Sequence, residues 1–438
     1  MKNNKIVTYI FLLIIFGIAV GIQINYRESK KNRNKGNTTF SQETSSHKNI
    51  KVKILNKEKI DFAKKYPLEG IKKESVYNNF INKIYKRFYR IKLNFNHLDD
   101  MVKIHFPFRI PIITFNRKIT GARKSFLSLD SLVCLKDEYF AFTINRKQNF
   151  EEEAKRVVEF SKDLNKAGIK FCSVTYPSKF SKFNPDFPPG IVDYSNYNVD
   201  TYLNVLKNNN VNILDLRENA NKQFKEHISL FFKADHHWIP ETAFWATSEI
   251  LRYLNTNLNM SFDTSILNED NFKFSTYPNR FLGSHGKKVT LALAKPDDIT
   301  IIEPNFPTNY ETSGLDKTEI KIGNYSDVVL DYSKLFYENL YEGDAYNTYS
   351  SPSCIVNTSP KAKYKVFIIA DSFSIPVIPF LSTVTKEITH IDIRWENKYS
   401  VEKYILDLKP DLVILAYATD RFNWDRDPNH MENMFIFK

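Results

Sequence analysis

Residues 366–374 read Val-Phe-Ile-Ile-Ala-Asp-Ser-Phe-Ser, an apolar run that ends in a carboxylate and a hydroxyl. Five consecutive apolar residues of this kind predict a buried strand. In open α/β sheets, ligands and reacting groups lie beyond the carboxyl ends of the strands. The run therefore predicts that Ser372 is presented at the tip of a buried strand.

The segments on either side of this run alternate between strand and helix patterns. Apolar runs predict further strands at 169–175, 211–216, 388–394 and 411–417, and helical spacing predicts helices at 151–167 and 401–408 and from Pro240 onward. Strands separated by helices of this length indicate βαβ units and a mainly parallel sheet. Residues 257–360 break the alternation, and we interpret them as an irregular or β insertion, such as a small β-subdomain over the cleft.

A second motif, Ala-Asp-His-His-Trp-Ile-Pro at residues 234–240, places a carboxylate two residues before a histidine. A free serine is a weak nucleophile that needs an adjacent base, and His237 is the predicted base for Ser372. Asp235 would accept the other imidazole N–H, which fixes the tautomer and stabilises the imidazolium. The two motifs together predict a Ser-His-Asp catalytic triad.

The residues beside the triad have supporting roles in this interpretation. We predict a structural or indirect role for His236, and we expect Trp238 to pack beneath the catalytic histidine. Asp371 is expected to shape the serine turn by bonding backbone N–H groups. An oxyanion needs preorganised donors, and the Ser372 backbone N–H is the predicted one.

Metal and cofactor chemistry finds little support in the sequence. A metal site built from residues 235–237 is the rival chemistry, but consecutive residues point in different directions and no other His/Asp cluster has ligand spacing. The three widely spaced cysteines imply neither a disulfide framework nor a zinc motif. Glycine is scarce, with 12 residues, and neither a P-loop nor a dinucleotide fingerprint is present. We predict no metal and no dissociable cofactor.

Both motifs, in this order, resemble those of the DHHW proteins of Gram-positive bacteria. These are similar to the SGNH-hydrolase-like alginate O-acetyltransferases of the AlgX and AlgJ type, whose motifs run Asp-x-His-Trp and then Gly-Asp-Ser. Here Ala370 stands where the acetyltransferases often carry glycine, which removes no reacting group. The resemblance covers roughly residues 125–420 and implies an SGNH-hydrolase-like three-layer α/β/α fold.

The resemblance also implies an activity. It implies a serine-dependent O-acetyltransferase outside the cytoplasm that acetylates an exported or cell-wall polysaccharide through an acetyl-serine intermediate. The acetyl group would come from an MBOAT-type membrane acyltransferase. Two alternatives stay open: a polysaccharide acetyl esterase, and a non-catalytic SGNH-like protein that binds a polymer or scaffolds an export complex.

Three further site residues follow from the same resemblance. In the resembling enzymes an Arg and a Tyr after the serine line the site, and Arg394 and Tyr417 are the candidates here. Surface pairing and core packing are their respective alternative roles. A Pro-x-Lys element ends a strand in these families, and Lys179 fits it. Lys179 would neutralise a substrate or pair with a neighbour.

The first hundred residues differ in charge from the rest of the chain. They carry 21 Lys and Arg against 8 Asp and Glu, whereas the remaining residues carry 41 against 42. A nucleic-acid binder is expected to carry its positive charge on the folded domain, so no nucleic-acid partner is predicted. We predict a basic tether with an amphipathic helix at 27–100 and the catalytic domain at 101–438.

Ile6–Ile24 is a run of 19 residues without a charge, long enough to cross a bilayer core of about 30 Å. We predict that residues 1–26 form an N-terminal transmembrane anchor, with a long signal peptide as the alternative. Five basic residues that follow the run favour the cytoplasmic side under the positive-inside rule. The resemblance nevertheless implies an extracytoplasmic enzyme, so we predict a single-pass membrane protein whose catalytic domain lies outside the cell.

Overall fold

The computed structural model describes residues 51–54 and 132–438, except 186, 189, 318, 350, 351, 396–398 and 426–430. The described residues lie within one unit of the chain that comprises Ser46–Glu69 and Lys124–Lys438. The strands are β1 (Lys51–Ile54), β2 (Leu132–Cys134), β3 (Phe140–Phe142), β4 (Lys170–Tyr176), β5 (Ile213–Asp215), β6 (Phe272–Phe281), β7 (Asp297–Pro304), β8 (Tyr310–Ser313), β9 (Glu319–Gly323), β10 (Cys354–Asn357), β11 (Lys363–Ala370), β12 (Thr385–Ile391) and β13 (Leu412–Ala418). The helices are α1 (Glu151–Lys166), α2 (Ser195–Asn208), α3 (Leu216–Gln223), α4 (Pro240–Asn257), α5 (Ser284–Val289), α6 (Tyr325–Val328), α7 (Val377–Ser382) and α8 (Val401–Leu408).

The central sheet has nine strands in the order β1-β9-β8-β10-β12-β11-β13-β4-β5. The five strands from β12 to β5 pair in parallel, as the alternation of helix and strand patterns predicts. The other four strands pair antiparallel with one another, and β10 pairs antiparallel with β12. The sheet is therefore mixed, and the prediction of a mainly parallel sheet is wrong for the edge beyond β12. Short connections such as the one between β8 and β9 allow antiparallel pairing only.

Helices cover both faces of the parallel half of the sheet. Side chains alternate between the two faces along a strand. On β11, Val366 and Ile368 join one buried cluster with α4, whereas Phe367 and Ile369 join the other with α1, α2 and α8. Burying one such side chain stabilises the fold by about 1.5–3 kcal/mol. The arrangement is the three-layer α/β/α architecture that the resemblance implies.

The predicted insertion at 257–360 contributes to two sheets. β6 and β7 form a two-stranded antiparallel ribbon, whereas β8, β9 and β10 extend the central sheet instead of forming a separate subdomain. Within the insertion, the apolar run Val289–Leu293 has a sequence that predicts a short β-like segment, but the structure has the end of α5 and a turn there. Thr290 follows α5 with a φ of 65°, which interrupts an extended backbone.

The N-terminal predictions fall largely outside the described residues. β1 is the exception, because Lys51–Ile54 lies in the stretch expected to be a tether, yet it pairs with β9 as an edge strand. The predicted span Ile6–Ile24 and the amphipathic helix within 61–97 lie outside the described residues. Within the residues that the structure describes, none of the helices combines the length and the hydropathy that crossing a bilayer requires.

Candidate active site

The serine lies in a short 3-10 turn, Ser372–Ser374, directly beyond the end of β11. Asp371 accepts a hydrogen bond from the Phe373 N–H at 2.9 Å and another from the Ala418 N–H at 2.8 Å. The first bond caps the turn, and the second ties the turn to the end of the neighbouring strand β13. Asp371 thus makes the backbone contacts expected of it, and they fix where the Ser372 hydroxyl stands.

His237 bridges the serine and the first aspartate. Its Nε2 lies 2.7 Å from the Ser372 Oγ, and its Nδ1 lies 2.6 Å from the Asp235 Oδ1. Both distances are within hydrogen-bonding range. The structure therefore brings Ser372, His237 and Asp235 together in the order of a nucleophile, a base and an orienting carboxylate, across 135 positions of sequence.

Asp235 is held ionised by its surroundings. Burial raises the pKa of this carboxyl, but His236 and His237 and the hydrogen bond from His237 outweigh burial and hold the pKa well below its usual range. The ionised carboxylate also accepts the His237 backbone N–H at 2.9 Å and the Ser284 N–H at 2.5 Å. Because an ionised carboxylate only accepts, His237 Nδ1 carries the proton and Nε2 is free to accept from the Ser372 hydroxyl.

The backbone before Asp235 is fixed by two charged groups. Asp297 accepts the N–H groups of Lys233 and Ala234 at 2.9 and 2.7 Å. The Lys179 ammonium donates to the carbonyls of Phe140 and Lys233 at 2.5 and 3.1 Å. Its pKa falls to about 7 because burial destabilises the charge more than the two nearby aspartates, at 235 and 297, stabilise it. Lys179 therefore braces the aspartate loop and bonds backbone carbonyls, not Ser372.

The insertion supplies a wall behind Asp235. Gly283 packs against the aspartate so closely that a Cβ at this position would lie 2.6 Å from the Asp235 Cγ. Ser284, at the start of α5, donates its N–H to Asp235, and its hydroxyl lies 2.9 Å from the His236 Nδ1. Residues 281–286, whose turn-rich sequence predicts a wall of the pocket, thus form part of the site through Gly283 and Ser284.

His236 is linked to Ser372 by an arginine that contacts both residues. The His236 Nε2 lies 3.2 Å from the Arg421 Nη2, which in turn donates to the Ser372 Oγ at 3.1 Å. Arg421 also forms an ion pair with Asp371, with its Nε 3.4 Å from the Oδ2. The His236 ring lies against the His237 ring with centroids 3.8 Å apart.

Arg421 is a site residue that the sequence interpretation missed. It follows the end of β13 by three residues, where the rule on strand ends places functional groups. Arg394, chosen from the resemblance, instead donates its Nε and Nη2 to Asp392 at 2.8 and 2.5 Å. Burial raises the pKa of Asp371, and the charges of Arg421 and Arg394 lower it only in part, but the hydrogen bonds of Arg394 do not go to Ser372.

Tyr417 also lies away from the serine. It belongs to the buried cluster on the α1, α2 and α8 side of the sheet, and its hydroxyl donates to the Met434 carbonyl at 2.9 Å. Side chains along β13 point alternately to the two faces of the sheet, and Tyr417 points to the face that packs in the core. Tyr417 therefore packs in the core, the alternative role named for it from the sequence.

Aromatic rings join the loop that carries His237 to the turn that carries Ser372. Trp238 is fully buried and donates its indole N–H to the Phe373 carbonyl at 3.0 Å, so it ties the histidine loop to the serine turn. Its ring packs on Tyr176 at 4.7 Å. The ring stacked on His237 is Tyr346, at 4.2 Å between centroids and 15° between planes. Tyr346, a residue of the insertion, therefore takes the place beneath His237 that was expected for Trp238.

The same cluster offers a possible metal site. Asp235, His236 and His237 provide ligand atoms within 4.8 Å of one another. Their ring nitrogens already bond Asp235, Ser284, Ser372 and Arg421. An ion would have to replace these hydrogen bonds and would lie close to the guanidinium charge. The donor set is thus organised for proton transfer and fits a metal poorly.

Comparison with known proteins agrees with this geometry. Residues 136–276 match the model of a family described as SGNH hydrolase-like domain, acetyltransferase AlgX. The resemblance predicted from the two motifs is confirmed. The matched residues include Asp235 and His237, whereas Ser372 lies beyond them. The SGNH-like match accords with the helix-covered mixed sheet. No curated protein matches the sequence.

The fold is also similar to that of solved structures. Bacillus cereus PatB1 is 19% identical, with 69% of this chain and 98% of PatB1 covered and a TM-score of 0.54. A second PatB1 structure, with a sulfonyl adduct, is 18% identical with the same coverage and TM-score. A DHHW family protein from Eubacterium siraeum is 16% identical over 70% of this chain and 97% of that protein, with a TM-score of 0.49.

Proposed function

We propose that this protein is a serine-dependent O-acetyltransferase that acts on an exported or cell-wall polysaccharide. The observation that carries the proposal is the 2.7 Å contact between the His237 Nε2 and the Ser372 Oγ, with Asp235 on the other ring nitrogen. The match to an SGNH-like acetyltransferase family supports the class of reaction. We further propose that the acceptor is a polysaccharide and that the reaction passes through an acetyl-serine intermediate.

In the first half-reaction the Ser372 Oγ attacks the carbonyl carbon of an acetyl donor. As the bond from Oγ to carbon forms, the hydroxyl proton passes to the His237 Nε2, and Asp235 stabilises the imidazolium. The bond to the leaving group then breaks, and His237 returns the proton to that group. The product is an acetyl ester on Ser372; His237 is neutral again, and the serine proton has left with the leaving group.

Two donors are suitably placed for the negative charge that develops during the attack. The Ser372 N–H opens its turn and has no hydrogen-bond acceptor among the described residues. Arg421 already donates to the Ser372 Oγ at 3.1 Å. Preorganised donors of this kind are worth about 10²- to 10³-fold each in rate, because they need no reorganisation when charge appears.

In the second half-reaction a sugar hydroxyl takes the place of the first leaving group. The sugar gives its proton to His237 and attacks the acetyl carbon, and Ser372 leaves and regains the proton. Water in the sugar's position would give acetate, so transfer requires that water be excluded from the acyl-enzyme. The proposal assigns transfer to this protein, and an esterase is the outcome if water competes.

The proposal also includes a setting for the enzyme. Residues 1–26 would anchor the chain in the membrane, the catalytic domain would lie outside the cell, and an MBOAT-type acyltransferase would supply the acetyl group. The excess of basic residues in the first hundred positions suits anionic lipid or an anionic wall polymer. Protease treatment of intact cells tests the orientation, and full protection of the domain would contradict it.

The test uses the purified full chain and p-nitrophenyl acetate, with an acetyl-accepting oligosaccharide added or left out. We expect an acetyl adduct on Ser372 by mass spectrometry and acetylated sugar in preference to free acetate. Ser372→Ala and His237→Ala should lower kcat by about 10⁴- to 10⁶-fold. Wild-type rates in both variants would overturn the proposal and favour a non-catalytic scaffold, whereas release of acetate alone would favour an esterase.

A further inference from the structure

We propose that His236, the first histidine of the pair, is a positioning residue that orients the Arg421 guanidinium on the Ser372 hydroxyl. The inference rests on the proposed function, since it assigns Ser372 as the nucleophile. It gives a chemical role to a residue whose contribution the sequence left as structural or indirect. It also predicts that two hydrogen-bonded chains, not one, converge on the reacting oxygen.

The argument begins with one nitrogen of Arg421. Its Nη2 lies 3.2 Å from the His236 Nε2 and 3.1 Å from the Ser372 Oγ. A terminal guanidinium nitrogen carries two hydrogens in a fixed plane. When one hydrogen is directed at His236, the other is directed at Ser372. Rotation of the guanidinium away from the serine would break the bond to the histidine.

The protonation of His236 follows from the same contact. Arginine has no acceptor and keeps its charge in proteins, so the His236 Nε2 must accept and carries no proton. The remaining ring proton is therefore on Nδ1, which lies 2.9 Å from the Ser284 Oγ. Ser284 accepts this hydrogen, and the neutral ring is held by a donor on one side and an acceptor on the other.

The chain closes on the catalytic aspartate. Ser284 donates its backbone N–H to the Asp235 Oδ2 at 2.5 Å, so the residue that holds His236 also holds Asp235. One path from Asp235 reaches Ser372 through His237, and the second reaches it through Ser284, His236 and Arg421. A ring of hydrogen bonds around the serine resists displacement of any one member, because each group has partners on two sides.

Simple packing is the competing explanation for His236. Its ring lies 3.8 Å from the His237 ring and 6.0 Å from Phe373, so an aromatic ring of similar size would preserve this contact. Packing predicts that a phenylalanine serves as well as the histidine. Positioning of Arg421 predicts that an acceptor at the place of Nε2 is required, whatever the ring.

The test compares three substitutions in the full-length protein. His236→Phe keeps a ring without an acceptor, His236→Gln places an amide near the position of Nε2, and His236→Asn is polar but too short to reach Arg421. We expect kcat to fall about 10- to 100-fold in the Phe and Asn variants, with KM little changed, and to recover at least partly in the Gln variant. Equal rates in the Phe variant and the wild type would overturn the inference. Equal losses of kcat in the Gln and Asn variants would also overturn it. The comparison of Gln with Asn tests the inference even if the Phe variant does not fold.

A double-mutant cycle with Arg421→Ala then identifies the route of the effect. If His236 acts through Arg421, adding His236→Phe to Arg421→Ala should change kcat by less than about twofold. Independent, multiplicative losses would contradict the inference. The rate at which a sulfonyl fluoride modifies Ser372 gives a second readout that needs no sugar, and it should fall in parallel with kcat.

Two controls separate this inference from the proposed function. His390→Phe changes a histidine on β12 outside the site and should leave kcat unchanged. Ser372→Ala must abolish activity. If Ser372→Ala retains the wild-type rate, the proposed function fails. If Ser372→Ala is inactive while His236→Phe matches the wild type, only the inference on His236 fails.

Discussion

The sharpest prediction concerns Gly283, which takes no part in the reaction itself. A Cβ built on Gly283 would lie 2.6 Å from the Asp235 Cγ, whereas ordinary carbon contacts are no closer than about 3.4 Å. The Gly283 backbone is held from the other side, because its carbonyl accepts the Lys287 N–H at 2.9 Å within α5. Gly283→Ala must therefore displace the carboxylate of Asp235, by about 1 Å.

That displacement is large compared with the tolerance of the triad. The Asp235 carboxylate lies 2.6 Å from the His237 Nδ1, and 1 Å more would bring the pair to about 3.6 Å, beyond a hydrogen bond. We expect kcat for p-nitrophenyl acetate to fall about 10²- to 10⁴-fold, the range between a 1 Å misplacement and the loss of the carboxylate's function. Overpacking should cost about 1–3 kcal/mol in the free energy of unfolding. Urea unfolding then checks that the variant is folded.

Gly314→Ala provides a matched control. Gly314 is exposed, and the nearest atom to an added Cβ there is the Asp316 Oδ1 at 3.3 Å. This variant should keep the wild-type kcat and stability within experimental error. A folded Gly283→Ala protein with kcat within about twofold of the wild type would refute the claim that close packing against this backbone fixes Asp235.

Three further predictions follow from the site. Arg421→Ala should lower kcat about 10²- to 10³-fold, and added guanidinium should restore part of the rate, whereas an unchanged kcat would exclude Arg421 from the site. Asp235→Asn should lower kcat about 10⁴-fold at every pH from 5 to 8, because an amide cannot hold the required His237 tautomer, and a loss confined to acid pH would contradict this. Burial lowers the pKa of Lys179 to about 7, whereas the unfolded chain has a pKa of about 10.4 for this group. Between these two pH values the unfolded chain binds more protons than the folded protein. Lys179 therefore makes the free energy of unfolding rise with pH in this range. In the Lys179→Met variant this rise, of up to about 1.4 kcal/mol per pH unit, should be absent when unfolding is measured with urea. If the unfolding free energy of both proteins depended on pH with the same slope, Lys179 would not titrate in this range.

The residues of the proposed triad could be chosen from the sequence, whereas the residues that surround them in the structure could be chosen only in part. Ser372, His237 and Asp235 lie in two local motifs whose residue types have few other uses in that order. Arg421 lies in no such motif, because its role depends on the direction of one side chain beyond a strand end. Tyr417 was the plausible choice four residues earlier, and strand alternation places it in the core instead.

The contribution of the insertion could be predicted only in outline, as a turn-rich loop at 281–286 that walls the pocket. Gly283, Ser284 and Tyr346 lie in the stretch that breaks the helix and strand alternation, and they reach the site only because this stretch folds back over it. The same applies to the antiparallel edge of the sheet, where β8 to β10 join strands far away in sequence. Such pairings depend on which edge is open after the core has formed, and local patterns do not encode this.

The amino-acid sequence by itself determined the parallel α/β core and the three residues of the proposed triad, because periodicity, strand ends and short motifs are local properties of the chain. Only the tertiary structure decided which cation faces Ser372, which ring covers His237 and which backbone confines Asp235. Those contacts join segments from 48 to 109 positions apart. They are selected by packing and by hydrogen-bond geometry in three dimensions, where a shift of about 1 Å makes or breaks each one.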